Sequence, residues 1–228
     1  MTDTQYPIGT PGTPWDDAQK QAWRSTQVKR RSYQDEVLRH LEDLHTCFQV
    51  QRYGELIYPE GRYPLYGIVT RDWNAKRPAI LVTGGVHGYE TSGVQGAVRF
   101  VQTRAVDYTG DFNIAVAPCI SPWAYETINR WNPDALDPNR SFVDDSPCGE
   151  AALAMAWVRG LAGTVLAHFD LHETTDTDNS EFRPALAARD GMTLEEWPIP
   201  DGFYLVDDSE APQPEFQRAI IDAVKTVT

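Results

Sequence analysis

The stretch from residue 79 to 96, AILVTGGVHGYETSGVQG, constrains this chain more than any other. Ala79 to Val82 is a short apolar run behind Pro78, the pattern of a buried strand. It breaks at Gly84 and Gly85, and Gly88 follows, which predicts a tight turn with backbone angles that other residues avoid. Thr91 or Ser92 can then cap a helix. A strand, a glycine turn and a helix in that order carry His87 and Glu90, three residues apart, just beyond a buried strand end. Such a pair is half of a metal site. Taken alone, it describes equally well a surface turn that merely caps the helix.

The rest of the chain supplies a frame for that turn. Residues 1–14, with Pro7, Pro11 and Pro14, read as an extended arm on the surface or on a neighbouring subunit. From 15 to 44 the pattern is helical, with Val37, Leu38, Leu41 and Leu44 on one face, and the basic run 29–31 reads as solvated. Aromatic and β-branched residues from 46 to 70, split by PEGR, predict a two-stranded hairpin. A helix over 91–103 with Val94, Val98 and Val101 inward is followed by a buried strand at 112–118. Residues 119–149 read as mostly irregular, broken by Pro122, Pro133, Pro138 and Pro147, and so long a segment inside a domain points to function.

Beyond it lie an alanine-rich helix at 150–160 and a strand at 164–171. Alternation in that strand puts Val165, Ala167, Phe169 and Leu171 on one face and His168, Asp170 and His172 on the other. Residues 173–202 read as a polar flap, 203–206 as a short strand, and 213 onward as an amphipathic helix. The succession predicts one domain over 1–228, with 1–45 as an N-terminal arm and helical segment. Its fold class is α/β, a mixed, mostly parallel sheet flanked by helices, its first two strands antiparallel.

Charge and cysteine usage narrow the function classes. A formal net charge of -13 argues against nucleic acid or an anionic membrane as partner, since either demands a basic surface. No apolar run approaches the roughly 20 residues that span a bilayer. The polar, acidic start lacks the pattern of a targeting segment. Cys47, Cys119 and Cys148 lack paired spacing and read as reduced thiols, so a cytoplasmic location is expected.

Zinc hydrolases take three protein ligands of His or Glu type and leave a fourth position for water. His87, Glu90 and His172 supply that set, all just past the ends of predicted buried strands. His168, inside its strand, reads as a core histidine and the weaker alternative ligand; His40 and His45 read as structural. Between the two metal-binding pieces, NRWNPDALDPNRSF offers Arg130 and Arg140 ten residues apart, with Asn139 beside the second. Guanidinium groups stabilise oxyanions or grip carboxylates through two parallel bonds.

The segments HGYE, DPNRSF and FDLHE, in that order, resemble the zinc carboxypeptidase superfamily over roughly residues 79–173. The DLH form is most similar to the branch with murein peptide amidases and the neighbouring succinylglutamate desuccinylase and aspartoacylase group. The resemblance implies Zn2+ on His87, Glu90 and His172, Arg130 as the oxyanion-stabilising arginine, and Asn139 with Arg140 holding a substrate carboxylate. Asp170 would orient a zinc histidine. The implied activity is cleavage of an amide or peptide bond next to a free carboxylate, in a small peptide or an N-acyl amino acid, the peptidase being favoured.

The family also uses a glutamate on a late strand, in a context such as ETP or ELP, as general base. The resemblance leads one to expect that this stretch of chain stops short of that strand and that the fold lacks its C-terminal part. Glu173 and Glu181 are the nearest substitutes, and neither matches the motif. The rival expectation is a non-catalytic form that binds zinc and ligand. Arg183 and Arg189 in the flap are candidate specificity contacts or ordinary surface charges.

Overall fold

The computed structural model describes residues 6–175, 177–193, 198–200 and 202–227. In chain order it contains helices α1 (Asp17–Ser25) and α2 (Tyr33–Glu36), a 3-10 turn at Leu38–Leu41, and strands β1 (Phe48–Tyr58), β2 (Gly61–Thr70) and β3 (Ala79–Gly84). Helix α3 (Thr91–Thr103), strand β4 (Asn113–Ala117), helices α4 (Pro122–Thr127) and α5 (Gly149–Arg159) and strand β5 (Val165–Leu171) follow. Helices α6 (Arg183–Asp190) and α7 (Pro214–Lys225) close the described chain.

The strands form one mixed sheet in the order β1-β2-β4-β3-β5. The hairpin β1/β2 and the β2/β4 pair are antiparallel, while β3 pairs in parallel with both β4 and β5. Helix α3, joining β3 to β4, packs Ala97 and Val101 against Ile68, Val82, Ile114 and Val116 on one face. On the other face Trp157 and Val158 of α5 pack against Val69, Leu81 and Ala115. The central strands are thus covered on both sides, which is why β4, NIAVA, is buried at every position.

The alternation in β5 holds: Phe169 and Leu171 join the α3 side, leaving His168 and Asp170 on the opposite face. Val94, Val98 and Val101 are buried as expected.

Residues 6–14 lie on the surface, anchored by Tyr6 and Ile8, which pack on a core of Trp15, Trp23, Trp123 and Trp131, with Trp15 Nε1 donating to Ile8 O at 3.2 Å. Several regions differ from the sequence expectation. The proline-punctuated segment after β4 is ordered and largely buried, because its aromatic residues Trp123, Tyr125 and Trp131 are core residues. Glu150, fully buried, ties it to α5 and β1 by accepting from Tyr58 Oη at 2.7 Å and Asn132 Nδ2 at 3.1 Å. Part of the expected flap is helical, as α6. No strand forms at 203–206; Phe203 and Val206 are 54% and 86% exposed, so no burial drives pairing. Helix α7 forms as predicted but buries none of its residues, touching the sheet through Phe216 on Phe169. No helix among the described residues is long and apolar enough to cross a membrane.

Candidate metal centre

The turn after β3 is held from below and behind. Gly85 alone of its three glycines has a positive φ, 62°. Gly84 and Gly88 serve close approach instead: a Cβ on Gly84 would lie 2.7 Å from Gly93 O, and one on Gly88 only 1.9 Å from the carbonyl carbon of Ala124. Arg31 grips the turn as a fork, donating to Gly88 O and Tyr125 O at 2.6 Å and to Thr91 Oγ1 at 2.5 Å. Lys29 pairs at 2.6 Å with Glu126, which is buried. In the basic run 29–31, Lys29 and Arg30 are exposed as expected and Arg31 is structural, a role its sequence did not reveal.

The expected cap of α3 by Thr91 or Ser92 is also replaced. Glu90 occupies the N-cap position without a side-chain cap bond, because its carboxylate faces His87 and His172. Glu173, arriving from β5, accepts from Ser92 N at 2.9 Å and does the capping.

His87, Glu90 and His172 come together with candidate ligand atoms all within 4.8 Å of one another. His87 Nδ1 lies 2.7 Å from Glu90 Oε1, and His172 Nδ1 lies 2.8 Å from Glu90 Oε2. Each imidazole turns its other nitrogen to a carboxylate: His87 Nε2 to Asp137 Oδ1 at 3.0 Å, His172 Nε2 to Asp170 Oδ2 at 2.7 Å. Carboxylates behind both rings orient them with Nδ1 forward, the arrangement that supports metal-binding histidines.

Burial opposes charge on these groups, and their partners overcome it. His172, hydrogen-bonded to Asp170 and charge-paired with Glu90, is carried up to about 10. Glu90 is lowered by both histidines despite its burial. Asp137 is held well below the usual carboxylate range by His87 and the Arg130 guanidinium, again against burial.

The residues fit a metal ion on one further observation. Glu90 Oε2 is buried with no hydrogen-bond partner among the described residues, although His172 Nδ1 is only 2.8 Å away. A shared cation would satisfy both lone pairs.

Arg130 reaches this centre through Asp137, which the sequence reading missed. Asp137 Oδ2 accepts from Arg130 Nε at 3.0 Å, while Oδ1 accepts from both His87 and Asn139 N. Its only local signal was an acidic residue before Pro138, the usual cap of a proline-led turn. Ile128, left-handed at φ 57°, ends α4 and redirects the chain so that Asn129 O accepts from Tyr89 N at 3.0 Å, setting Arg130 beside the metal turn. Tyr89 Oη and Asp178 complete the surroundings of Arg130, at 3.4 and 3.9 Å from Nη1.

Asn139 and Arg140 sit on the 3-10 turn that Asp137 caps. Arg140 is exposed and has no ion pair among the described residues. Asn139 lines an open cavity of about 440 Å³ together with Thr83, His168 and Asp170. His168 does not join the ligand cluster.

The expected flap contributes Phe182, stacked on Tyr89 at 4.3 Å, and Asp178, bonded to Tyr89 Oη at 3.0 Å. Arg183 lies 3.7 Å from Asp178. Arg189 points elsewhere, over the Trp131 ring and onto Ala135 O. Glu181 is exposed.

No family model and no curated protein matches this chain. Among solved structures it is similar to a metallo-carboxypeptidase from Burkholderia cenocepacia, at 13% identity and a TM-score of 0.51, covering 71% of this chain and 42% of that one. It is also similar to a succinylglutamate desuccinylase/aspartoacylase from Rhodobacter sphaeroides, at 23% identity and a TM-score of 0.44 over 55% of this chain and 39% of that one. An aspartoacylase family protein from Mesorhizobium loti gives 23% identity and 0.43 over 64% and 51%. The chain spans about half the length of such structures. In fold it is similar to the metallo-carboxypeptidases, the family that its HGYE, DPNRSF and FDLHE segments resemble.

Proposed function

We propose that this chain carries the zinc site of a hydrolase that cleaves an amide or peptide bond next to a free carboxylate. The observation that carries the proposal is the buried Glu90 carboxylate, one oxygen facing Nδ1 of each of two histidines whose outer nitrogens are held by Asp137 and Asp170. Zinc bound by His87, Glu90 and His172 would supply a Lewis acid that activates water and polarises the scissile carbonyl.

The chain's own groups do the remainder. Asp137 and Asp170 hold the imidazoles in the tautomer that leaves Nδ1 free. Arg130, its Nε bonded to Asp137, is a fixed positive charge for a developing oxyanion. Exposed Arg140, with Asn139 beside it, suits two-pronged recognition of a carboxylate. The substrate is a small peptide with a free C-terminus, in preference to an N-acyl amino acid. Three free cysteines suit a cytoplasmic setting.

Metal analysis of the purified protein tests the centre. About one zinc per chain is expected, lost in His87→Ala; zinc no higher than trace in the parent would sink the reading. With a blocked and an unblocked peptide, Arg140→Ala should raise KM for the unblocked one and leave zinc content alone. A second reading, a form that binds zinc and carboxylate ligands without turnover, is favoured by Glu173 being committed to capping α3. Binding of the unblocked peptide with no hydrolysis at all would select it.

A further inference from the structure

The metal centre is braced from the sheet beneath it. Thr83, near the end of β3, stands in register with Asp170 of the parallel β5. Thr83 Oγ1 donates to Asp170 Oδ1 at 2.6 Å. A hydroxyl has one proton, and an ionised carboxylate only accepts, so that proton is committed to Asp170. The 2.7 Å contact between Thr83 Oγ1 and His168 Nε2 is then attractive only with His168 as donor. On the far side, Asp170 Oδ2 accepts from His172 Nε2 at 2.7 Å. Every donor in the chain His168, Thr83, Asp170, His172 therefore points towards Asp170, and the one nitrogen left to face Glu90 is His172 Nδ1.

The three candidate ligands do not need such bracing equally. The side chains of His87 and Glu90 are 2% exposed and held by packing, whereas that of His172, past the end of the edge strand β5, is 31% exposed. Its ring orientation depends on Asp170, and the Asp170 carboxylate is held by Thr83 at one oxygen and His172 at the other. Without the hydroxyl, the carboxylate is free to rotate about its broad terminal torsion, and the imidazole rotates with it.

We propose that Thr83, backed by His168, is a positioning residue for the metal centre: it pins Asp170 and through it sets the ring plane and tautomer of His172. This rests on the metal reading of His87, Glu90 and His172. Carboxylates directly behind metal histidines are worth about 10–100-fold in metal affinity, and Thr83, one bond further out, should act at the lower end of that range.

The test is zinc competition against a chromophoric chelator with the full chain, comparing parent, Thr83→Val, Thr83→Ser and His168→Ala, with thermal melting of each metal-free protein alongside. Thr83→Val removes the hydroxyl while keeping shape and strand preference, and should weaken zinc about tenfold. Thr83→Ser restores the donor and should return affinity to within about twofold of the parent. Histidine nitrogen chemical shifts of the zinc-loaded proteins should report a single Nε2–H tautomer of His172 in parent and Thr83→Ser, and mixed or exchange-broadened signals in Thr83→Val.

Equal zinc affinity and the same His172 signature in Thr83→Val and parent would overturn the proposal, as would a Thr83→Ser variant as weak as Thr83→Val. Should Thr83→Val not fold, His168→Ala on the exposed strand decides: a severalfold loss supports the brace and unchanged affinity refutes it. A parent that binds no zinc would instead refute the metal reading itself, so the two failures are distinguishable.

Discussion

Gly88→Ala puts the largest strain on the metal turn for the smallest chemical change. The added Cβ would lie 1.9 Å from the carbonyl carbon of Ala124 and 2.0 Å from Tyr125 N, where ordinary contact begins at 3.4 Å. These are backbone atoms of α4 and cannot rotate away, so turn and helix must separate by about 1.5 Å. Separation stretches the Arg31 bond to Gly88 O and the bond from Tyr89 N to Asn129 O. With overpacking at about 1–3 kcal/mol and about 1 kcal/mol for each hydrogen bond, the variant should lose about 3–5 kcal/mol. Ligand distances in metal sites tolerate only about 0.2 Å, so zinc affinity should fall by at least about 100-fold. Urea unfolding and chelator competition read the two quantities. Gly96→Ala is the control: its Cβ would meet nothing nearer than Leu171 Cδ1 at 3.7 Å, so it should gain up to about 1 kcal/mol in the helix interior and keep its zinc. A Gly88→Ala protein with the parent's unfolding midpoint and zinc affinity would refute the packing account.

Two other substitutions examine the surroundings of the centre. Asp137→Asn should weaken zinc by about 10–100-fold in the same competition assay, because an amide cannot accept from His87 on one side and Arg130 on the other; parental affinity would show that the carboxylate does not orient His87. Arg31→Ala should cost about 3–5 kcal/mol in urea unfolding, since three acceptors lose charge-assisted donors, and Arg31→Lys should recover only part of it for want of the fork; a loss under about 1 kcal/mol would mean that solvent replaces the fork.

Much of the frame was legible because its signals are local. The period of Val94, Val98 and Val101 marks α3, and the alternation of His168, Asp170 and His172 marks one face of β5. What was illegible depends on partners far apart in the chain. The run 29–31 has the composition of a solvated face, but Arg31 bonds to Gly88, 57 residues away. Glu173 follows a candidate ligand in sequence with no local sign of its partner, yet it caps α3 across 81 residues. Phe203 to Val206 has the residues of a strand but no burial to drive pairing.

The sequence by itself nominated His87, Glu90 and His172 as candidate metal ligands, with His168 as a weaker alternative, and showed that they follow strand ends, because residue type and short-range periodicity are local properties; that His168 stands outside the cluster was decided by the fold. Only the tertiary structure decided which nitrogen each histidine presents. That choice belongs to Asp137 for His87 and to Asp170, with Thr83 behind it, for His172. A tautomer is set by the acceptor at the other side of the ring, and strand order and loop packing bring these acceptors there.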